Sequence, residues 1–176
     1  MMKKENLPEV FLRALEPEDL HLIYEVENDE DIWDMGITNV PYSKYLLLDY
    51  ISNATGDIFA DKQVRLIVEN KAHEAIGIAD LMDFDPKHNR AELGIVIKKP
   101  FRNMGYGKAT MIKMMKYCKK VIHLHQIFCF VAENNSSSAK MLQDIGFQRS
   151  TLLKDWLFDG VEYHSAYFFQ FFLQNN

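Results

Sequence analysis

The chain has 176 residues, of which 48% are hydrophobic and 26% charged, a composition typical of one globular domain and not of a disordered chain. Its formal net charge of -5 argues against a general nucleic-acid binder, because affinity for phosphate backbones comes mainly from clustered lysine and arginine. No apolar run has the length of a membrane span, and none follows Lys3 and Lys4 as in a signal peptide. The sequence therefore predicts a cytoplasmic protein without a membrane or nucleic-acid partner, folded as a single domain over residues 1–176 with a core at about 10–173.

The first half of the chain predicts one strand, two helices and a meander of three further strands. Val10 to Leu15 alternates weakly, and Pro17 with the acids after it marks the start of a helix. A second short helix is predicted at about Ser43 to Ser52. The meander strands, each bounded by a polar turn, are predicted at Val64–Glu69, Ala75–Phe84 and Arg90–Ile97.

The second half predicts helices and strands in alternation, followed by a hairpin. A helical run leads from Lys108 to Val121, and Gln126 to Val131 is an apolar strand of the kind buried in parallel pairing. Asn135 to Ile145 follows as a short helix. The last strands, Phe147 to Phe158 and Glu162 to Leu173, are joined by an Asp-Gly turn that favours positive backbone angles.

The most informative motif is the segment Arg102-Asn103-Met104-Gly105-Tyr106-Gly107. It lies between a predicted strand and a predicted helix, so several backbone N–H groups face one point at the positive end of the helix dipole. This arrangement predicts a receptor for pyrophosphate. A glycine turn that merely starts a helix is the alternative.

Three features together resemble the GNAT family of N-acetyltransferases, and most nearly its branch of ribosomal-protein alanine and spermidine acetyltransferases. They are the glycine motif, Asn135 with Ser138 three residues later, and the pair Gly146-Phe147. The resemblance implies a single-domain α+β fold with a mixed central sheet of about seven strands, about four flanking helices, and strands four and five splayed apart. It also implies acetyl-CoA as the co-substrate.

By that resemblance, two stretches of backbone and a few side chains hold acetyl-CoA. Arg102 and Asn103 approach the pyrophosphate, and the N–H groups that bind it belong to Met104, Gly105, Tyr106, Gly107 and Lys108. A side chain at either glycine is expected to stand between the backbone and the phosphates. The strand backbone at Ile95, Val96 and Ile97 is implied to pair with the pantetheine arm. Asn135 lies near that arm by analogy, with a helix N-cap as its alternative or additional role.

Acetyl transfer to an amine requires removal of a proton, since a free alkyl amine has a pKa near 10. Glu92 on strand four is the predicted base, acting directly or through water, and a surface or salt-bridged glutamate is its alternative. Many relatives use a tyrosine seven residues after the asparagine to protonate the leaving thiolate, but this chain has Leu142 there. Ser138 is predicted to donate to the thiolate instead, as in the ribosomal-alanine branch, with a helix-surface serine as the alternative.

The acceptor site is predicted at Glu30, Trp33 and Tyr163. Acids beside aromatic rings can bind a polyamine or a basic N-terminus, although a solvated acidic helix end has the same composition. The predicted function is acetyl transfer to a primary amine, with a polyamine, a protein N-terminus and an amine drug open as acceptors. A non-catalytic acyl-CoA-binding module is the alternative, and the missing tyrosine is its support.

Three further expectations concern metals, cysteines and assembly. The histidines and cysteines have no metal-ligand spacing, so no metal is predicted. Cys118 and Cys129 are interpreted as reduced packing residues. The aromatic strand Tyr167 to Phe172 offers an apolar edge or face for a homodimer, with burial inside the monomer as the alternative.

Overall fold

The computed structural model describes residues 6–30 and 40–173. The described strands are β1 Phe11–Ala14, β2 Val64–Glu69, β3 Ala75–Asp85, β4 Arg90–Ile97, β5 Gln126–Ala132, β6 Gln148–Phe158 and β7 Tyr163–Phe172. The described α-helices are α1 Leu20–Glu27, α2 Lys44–Asn53, α3 Ile58–Asp61, α4 Tyr106–Tyr117 and α5 Ser136–Asp144. The strands form one seven-stranded sheet in the order β1-β2-β3-β4-β5-β7-β6. The predicted mixed sheet flanked by helices is confirmed.

The helices cover both faces of the sheet because its central strands are apolar on both sides. On one face, Met114 of α4 and Leu142 of α5 pack in a core with Ile127 and Phe169. On the other face, Leu22 and Val26 of α1 pack against β2 and β3, and Ile23 joins α1 to α2. Alternation along β4 therefore sends odd-numbered side chains toward α4 and α5 and even-numbered ones toward α1 and α2.

A gap opens in the middle of the sheet between the two parallel strands β4 and β5. Their pairing covers only the first positions of each strand, and Glu92 opposite Phe128 is the last pair. Beyond this point β4 continues along β3, and β5 continues along β7. The two strands therefore diverge toward their carboxyl ends, and the expected splay of strands four and five is confirmed.

The last strand, β7, is internal to the sheet. It pairs with β5 on one side and with β6 on the other, and Phe169 is fully buried. The expectation that Tyr167 to Phe172 forms an apolar edge is therefore wrong, because the monomer already satisfies its backbone on both sides. The edge strand at this end is β6, whose residues are mostly exposed.

Two other expectations can be compared with the structure. Cys118 and Cys129 are buried and unpaired, as packing residues should be, and burial raises the pKa of the Cys118 thiol to about 12. Within the described ranges no helix is both long enough and apolar enough to cross a bilayer.

Candidate active site

The β4 edge of the gap presents backbone groups of alternate residues. The N–H of Lys98 donates to the Ile76 carbonyl at 2.8 Å, and the Val96 carbonyl approaches Gly77 so closely that a Cβ there would collide with it. The backbone groups of even-numbered β4 residues therefore form hydrogen bonds with β3. The backbone groups of Ile95 and Ile97 are directed toward the gap. The Ile97 carbonyl accepts a hydrogen bond from Nε of Arg102 at 2.8 Å, so Ile95 and the Ile97 N–H are the groups directed into the opening.

The glycine loop leads directly into the start of α4. Asn103 and Gly105 both have left-handed backbone angles, with φ of 62° and 85°. Gly105 is the N-cap of α4 and has no side chain with which to cap the helix. The first N–H groups of this 12-residue helix lie at the positive end of its dipole, an arrangement that suits an anion.

The two glycines of the loop are required for different reasons. At Gly105 a Cβ would lie 3.1 Å from Cδ of Pro8, so the positive φ and the N-terminal segment exclude a side chain there. At Gly107 a Cβ would meet Ile95 Cδ1 at 3.6 Å and Met141 Sδ at 3.7 Å, which are ordinary contacts. A methyl group at Gly107 would therefore fit the protein but would project into the space between β4 and α5, next to the gap.

The Arg102 side chain is held by protein groups. Its Nε is bonded to Ile97, and its Nη2 lies 3.7 Å from a carboxylate oxygen of Asp29. Lys99 Nζ lies 3.0 Å from the other oxygen of Asp29. Asp29, two residues beyond the end of α1, thus fixes the start of the glycine loop, a role that the acidic composition of its segment did not reveal.

Asn135 and Ser138 begin α5 at the same edge of the sheet as the glycine loop. Asn135 Oδ1 accepts from the Ser138 N–H at 3.1 Å, so the N-cap role of Asn135 is confirmed. The half-buried Ser138 hydroxyl has no hydrogen-bond partner in the described part of the chain. Leu142, in the position where many relatives have the acid tyrosine, is 2% exposed and belongs to the core.

Glu92 lies at the point where the gap begins. Burial, and secondarily the negative charge of Asp83, raise the pKa of Glu92 to about 7. Among residues 6–30 and 40–173 its carboxylate has no hydrogen bond or ion pair, so neither a surface nor a salt-bridged glutamate describes it. A carboxylate that titrates near neutral pH and has no partner is suited to accept a proton.

A groove of about 370 Å³ lies on the same face of the sheet as Glu92. Its aromatic wall is formed by Phe128, Phe130 and Phe168, and its polar rim by Asp83, Asp85, Arg90, Gln126 and Gln170. Arg90 lies 3.3 Å from Asp85 and pairs with it. Asp83 lies in a bulge of β3, with φ of 48°. The sequence alone does not reveal this groove, because both faces of β5 are apolar after Gln126.

Two of the three predicted acceptor residues lie in the described structure, and they belong to different segments of the chain. Glu30 is exposed beyond the end of α1. Trp33 lies outside the described residues. Tyr163 is 64% exposed at the start of β7, where its ring packs on Phe158 with centroids 4.9 Å apart.

A group of potential metal ligands lies at the hairpin between β6 and β7. Ligand atoms of Asp159, Glu162 and His164 lie within 4.8 Å of one another. Asp159 already accepts the N–H groups of Val161 and Glu162, each at 2.8 Å, and its other oxygen is 2.7 Å from Nε2 of His164. The hairpin turn itself accounts for this proximity.

Comparison of the sequence with known proteins shows that it is similar to one family of enzymes. A family profile described as Acetyltransferase (GNAT) domain matches residues 9–148. The spermidine N(1)-acetyltransferase of Vibrio cholerae is 25% identical over 150 residues, which are 85% of each chain. That of Escherichia coli K12 is 24% identical over 157 residues, 89% of this chain and 82% of the relative.

Solved structures agree with this fold. A crystal structure of the V. cholerae enzyme in complex with CoA and spermine has a TM-score of 0.82 at 24% identity, covering 93% of this chain and 95% of that one. A dodecameric structure of the same enzyme has a TM-score of 0.79 at 24% identity, covering 93% and 94%.

Proposed function

The chain belongs to the GNAT family and is an acetyl-CoA-dependent N-acetyltransferase, and we propose that its acceptor is a primary amine of a polyamine. The observation that carries this proposal is Glu92, a half-buried carboxylate without a partner in the described residues, at the narrow end of the β4–β5 gap and on the same face of the sheet as an open groove. The relatives named for spermidine support the choice of a polyamine. So does the net charge of -5, which attracts a polycation.

The chain offers groups that suit each part of acetyl-CoA, which supplies the acetyl thioester when it is bound. The pyrophosphate is assigned to the start of α4, whose N-cap is Gly105, at the N–H groups of residues 104–108. The gap-facing backbone of Ile95 and Ile97 is assigned to the amides of the pantetheine arm. Asn135 uses its Oδ1 for the cap, which leaves its side-chain NH₂ group to donate to that arm. Val96 is not included, because its carbonyl is directed at β3.

Glu92 and Ser138 are assigned the two proton-handling roles. The Glu92 carboxylate accepts a proton from the acceptor ammonium, directly or through one water, so that the nitrogen lone pair becomes available to form the C–N bond. The Ser138 hydroxyl donates a hydrogen bond to the sulfur as the C–S bond breaks, and the positive end of the α5 dipole favours negative charge there. Leu142 is buried and apolar, so it has no part in this chemistry.

The acceptor is tested by measuring CoA release from acetyl-CoA with spermidine, spermine, a peptide with a free N-terminus and an aminoglycoside. The proposal expects release with the polyamines and a mono-acetylated polyamine in the mass spectrum. Release with the peptide alone would contradict the polyamine and leave the transferase in place. CoA binding in a calorimeter without release from any amine would support a non-catalytic module.

We also propose that the chain assembles into a homo-oligomer in the cytoplasm. The dodecameric V. cholerae relative supports assembly, and the exposed edge strand β6 offers unpaired backbone for it. The two unpaired, buried cysteines suit a reducing compartment. Sedimentation velocity that gives a monomer at every concentration would contradict the assembly.

A further inference from the structure

We propose that Phe128, Phe130 and Phe168 bind the methylene chain and the second ammonium of the acceptor, and so select diamines and polyamines over monoamines. This inference rests on the proposed function and assigns the acceptor a path along β5. Its basis is the position of the three rings relative to Glu92, their packing, and the charge around them.

Strand register brings the rings beside the predicted base. Glu92 is paired with Phe128, and paired residues of neighbouring strands present their side chains on one face. Phe130 follows on that face two residues later, and it is paired with Phe168 of β7. The β4 position level with Phe130 across the gap is Gly94, and the Met82 methyl group lies over it, since a Cβ there would stand 3.2 Å from Met82 Cε. The rings therefore line a path that begins at Glu92 and follows β5 into the widening gap.

The three rings are fixed by one another. The Phe168 ring centroid lies 5.5 Å from that of Phe128 and 5.3 Å from that of Phe130. Phe130 also stacks on Trp156, with centroids 5.8 Å apart and planes inclined by 28°. All three phenylalanines are half-buried, so they keep a surface toward the groove. This is a preformed aromatic wall, and binding to it does not require ordering of flexible side chains.

The charges around the wall favour a cation. Among the described residues that line the groove, Arg90 is the basic one, and it pairs with Asp85. Asp83 has no ion pair in the described structure and contributes negative charge beside Glu92. An ammonium group over an aromatic ring gains cation–π attraction, and the methylene groups between two amines gain apolar contact.

The size of the groove favours a small amine over a polypeptide. Its volume of about 370 Å³ lies in the range of small-molecule sites. A peptide would also bring backbone N–H and C=O groups that need partners, and phenylalanine rings supply none. Two residues along β5 span about 6.6 Å, so a second ammonium near that distance from the reacting nitrogen lies over Phe130.

The test compares two acceptors that have the same carbon chain, 1,4-diaminobutane and butylamine, with spermidine as a third. In steady-state assays of CoA release, Phe130→Leu keeps most of the apolar volume and removes the π face. We expect KM for the diamine and for spermidine to rise about three- to ten-fold, with KM for butylamine and all kcat values within two-fold of wild type. Phe130→Tyr keeps the ring and should restore the wild-type preference.

Phe59→Leu is the matched control, because Phe59 is exposed and packs edge-to-face on Phe84 away from the groove. It should leave all three KM values unchanged. Equal rises in KM for the diamine and the monoamine would overturn the inference, as would no rise in either. A changed sedimentation coefficient with unchanged KM would assign the wall to a second copy instead. If Phe130→Leu lowers the unfolding temperature, Phe168→Leu supplies the same comparison. Failure of the wild type to acetylate any amine would contradict the proposed function itself.

Discussion

Glu92 of β4 and Phe128 of β5 form the last pair before the two parallel strands separate. One partner is a carboxylate with a pKa raised to about 7, and the other begins an aromatic wall. In the proposed function, acetyl-CoA binds in the gap and the acceptor in the groove, so Glu92 lies at the boundary between the two. Because strand side chains project from the faces of a sheet, pairing with Phe128 leaves the Glu92 side chain on the face of the sheet at the level where the gap begins.

Replacement of Glu92 by Gln tests its role as the base. A carboxylate with a pKa of about 7 gains its accepting form as the pH rises, so wild-type kcat/KM should increase through neutral pH. Glu92→Gln should lower kcat/KM about 10²- to 10⁴-fold and remove that rising limb. The measurement is the pH dependence of CoA release between pH 5.5 and 9 with spermidine in the assay, an experimental range chosen to bracket the pKa. An unchanged pH profile in the variant would contradict the assignment.

Glu92→Gln, which should lower activity, should raise folding stability at alkaline pH. Because folding raises the pKa of Glu92 from 4.5 to about 7, the folded state binds this proton more tightly than the unfolded state does. The free energy of unfolding of the wild-type protein therefore falls as the pH rises from about 4.5 to 7. The variant does not show this fall, because Gln cannot ionise. Glu92→Gln should match wild type below that interval and be more stable above it by about 1 to 2 kcal/mol, allowing for solvent screening. Urea unfolding at pH 4 and pH 8 measures the difference, and equal stabilities at pH 8 would contradict the raised pKa.

The sequence predicted the sheet well because its strands are bounded by clear turns. The gap and the glycine loop followed from the family resemblance and from the strand-loop-helix order around Gly105. The one-turn helix α3 was missed, since four residues are too few to display a helical period. Asp57 caps it by accepting from the Phe59 N–H at 2.8 Å, a signal visible only once the turn is formed.

The acceptor groove could not be predicted from local pattern. Every residue of β5 after Gln126 is apolar or small, so alternation does not tell which side chains face Glu92. The position of Phe168 depends on register shifts between β6 and β7 near Ser150 and Asp155, and such bulges leave little trace in sequence. The order β5-β7-β6 likewise decides that β7 is internal, so the predicted apolar edge at Tyr167 to Phe172 is wrong, whereas a homo-oligomer stays a prediction.

The two loop glycines should respond differently to alanine. At Gly107 the added methyl meets ordinary contacts, so Gly107→Ala should fold normally yet weaken CoA binding by filling the cleft beside the gap. At Gly105, with φ of 85° and Pro8 at 3.1 Å, alanine should cost about 1 to 2 kcal/mol of folding stability. Calorimetric titration with CoA and thermal unfolding of both variants separate the effects. Full CoA affinity in Gly107→Ala would contradict the placement of the cofactor.

Ser138 is tested against its neighbour on the same helix. Its hydroxyl is half-buried at the start of α5 and has no partner in the described structure, so Ser138→Ala should leave the fold intact. If this hydroxyl stabilises the leaving sulfur, kcat with spermidine should fall by up to about 10²- to 10³-fold, as for the loss of one donor to developing charge, while KM for acetyl-CoA changes little. Ser137→Ala, at an exposed position one residue earlier, should change neither value. An unchanged kcat in Ser138→Ala at saturating substrates would remove this serine from the mechanism and leave the protonation of the thiolate to water.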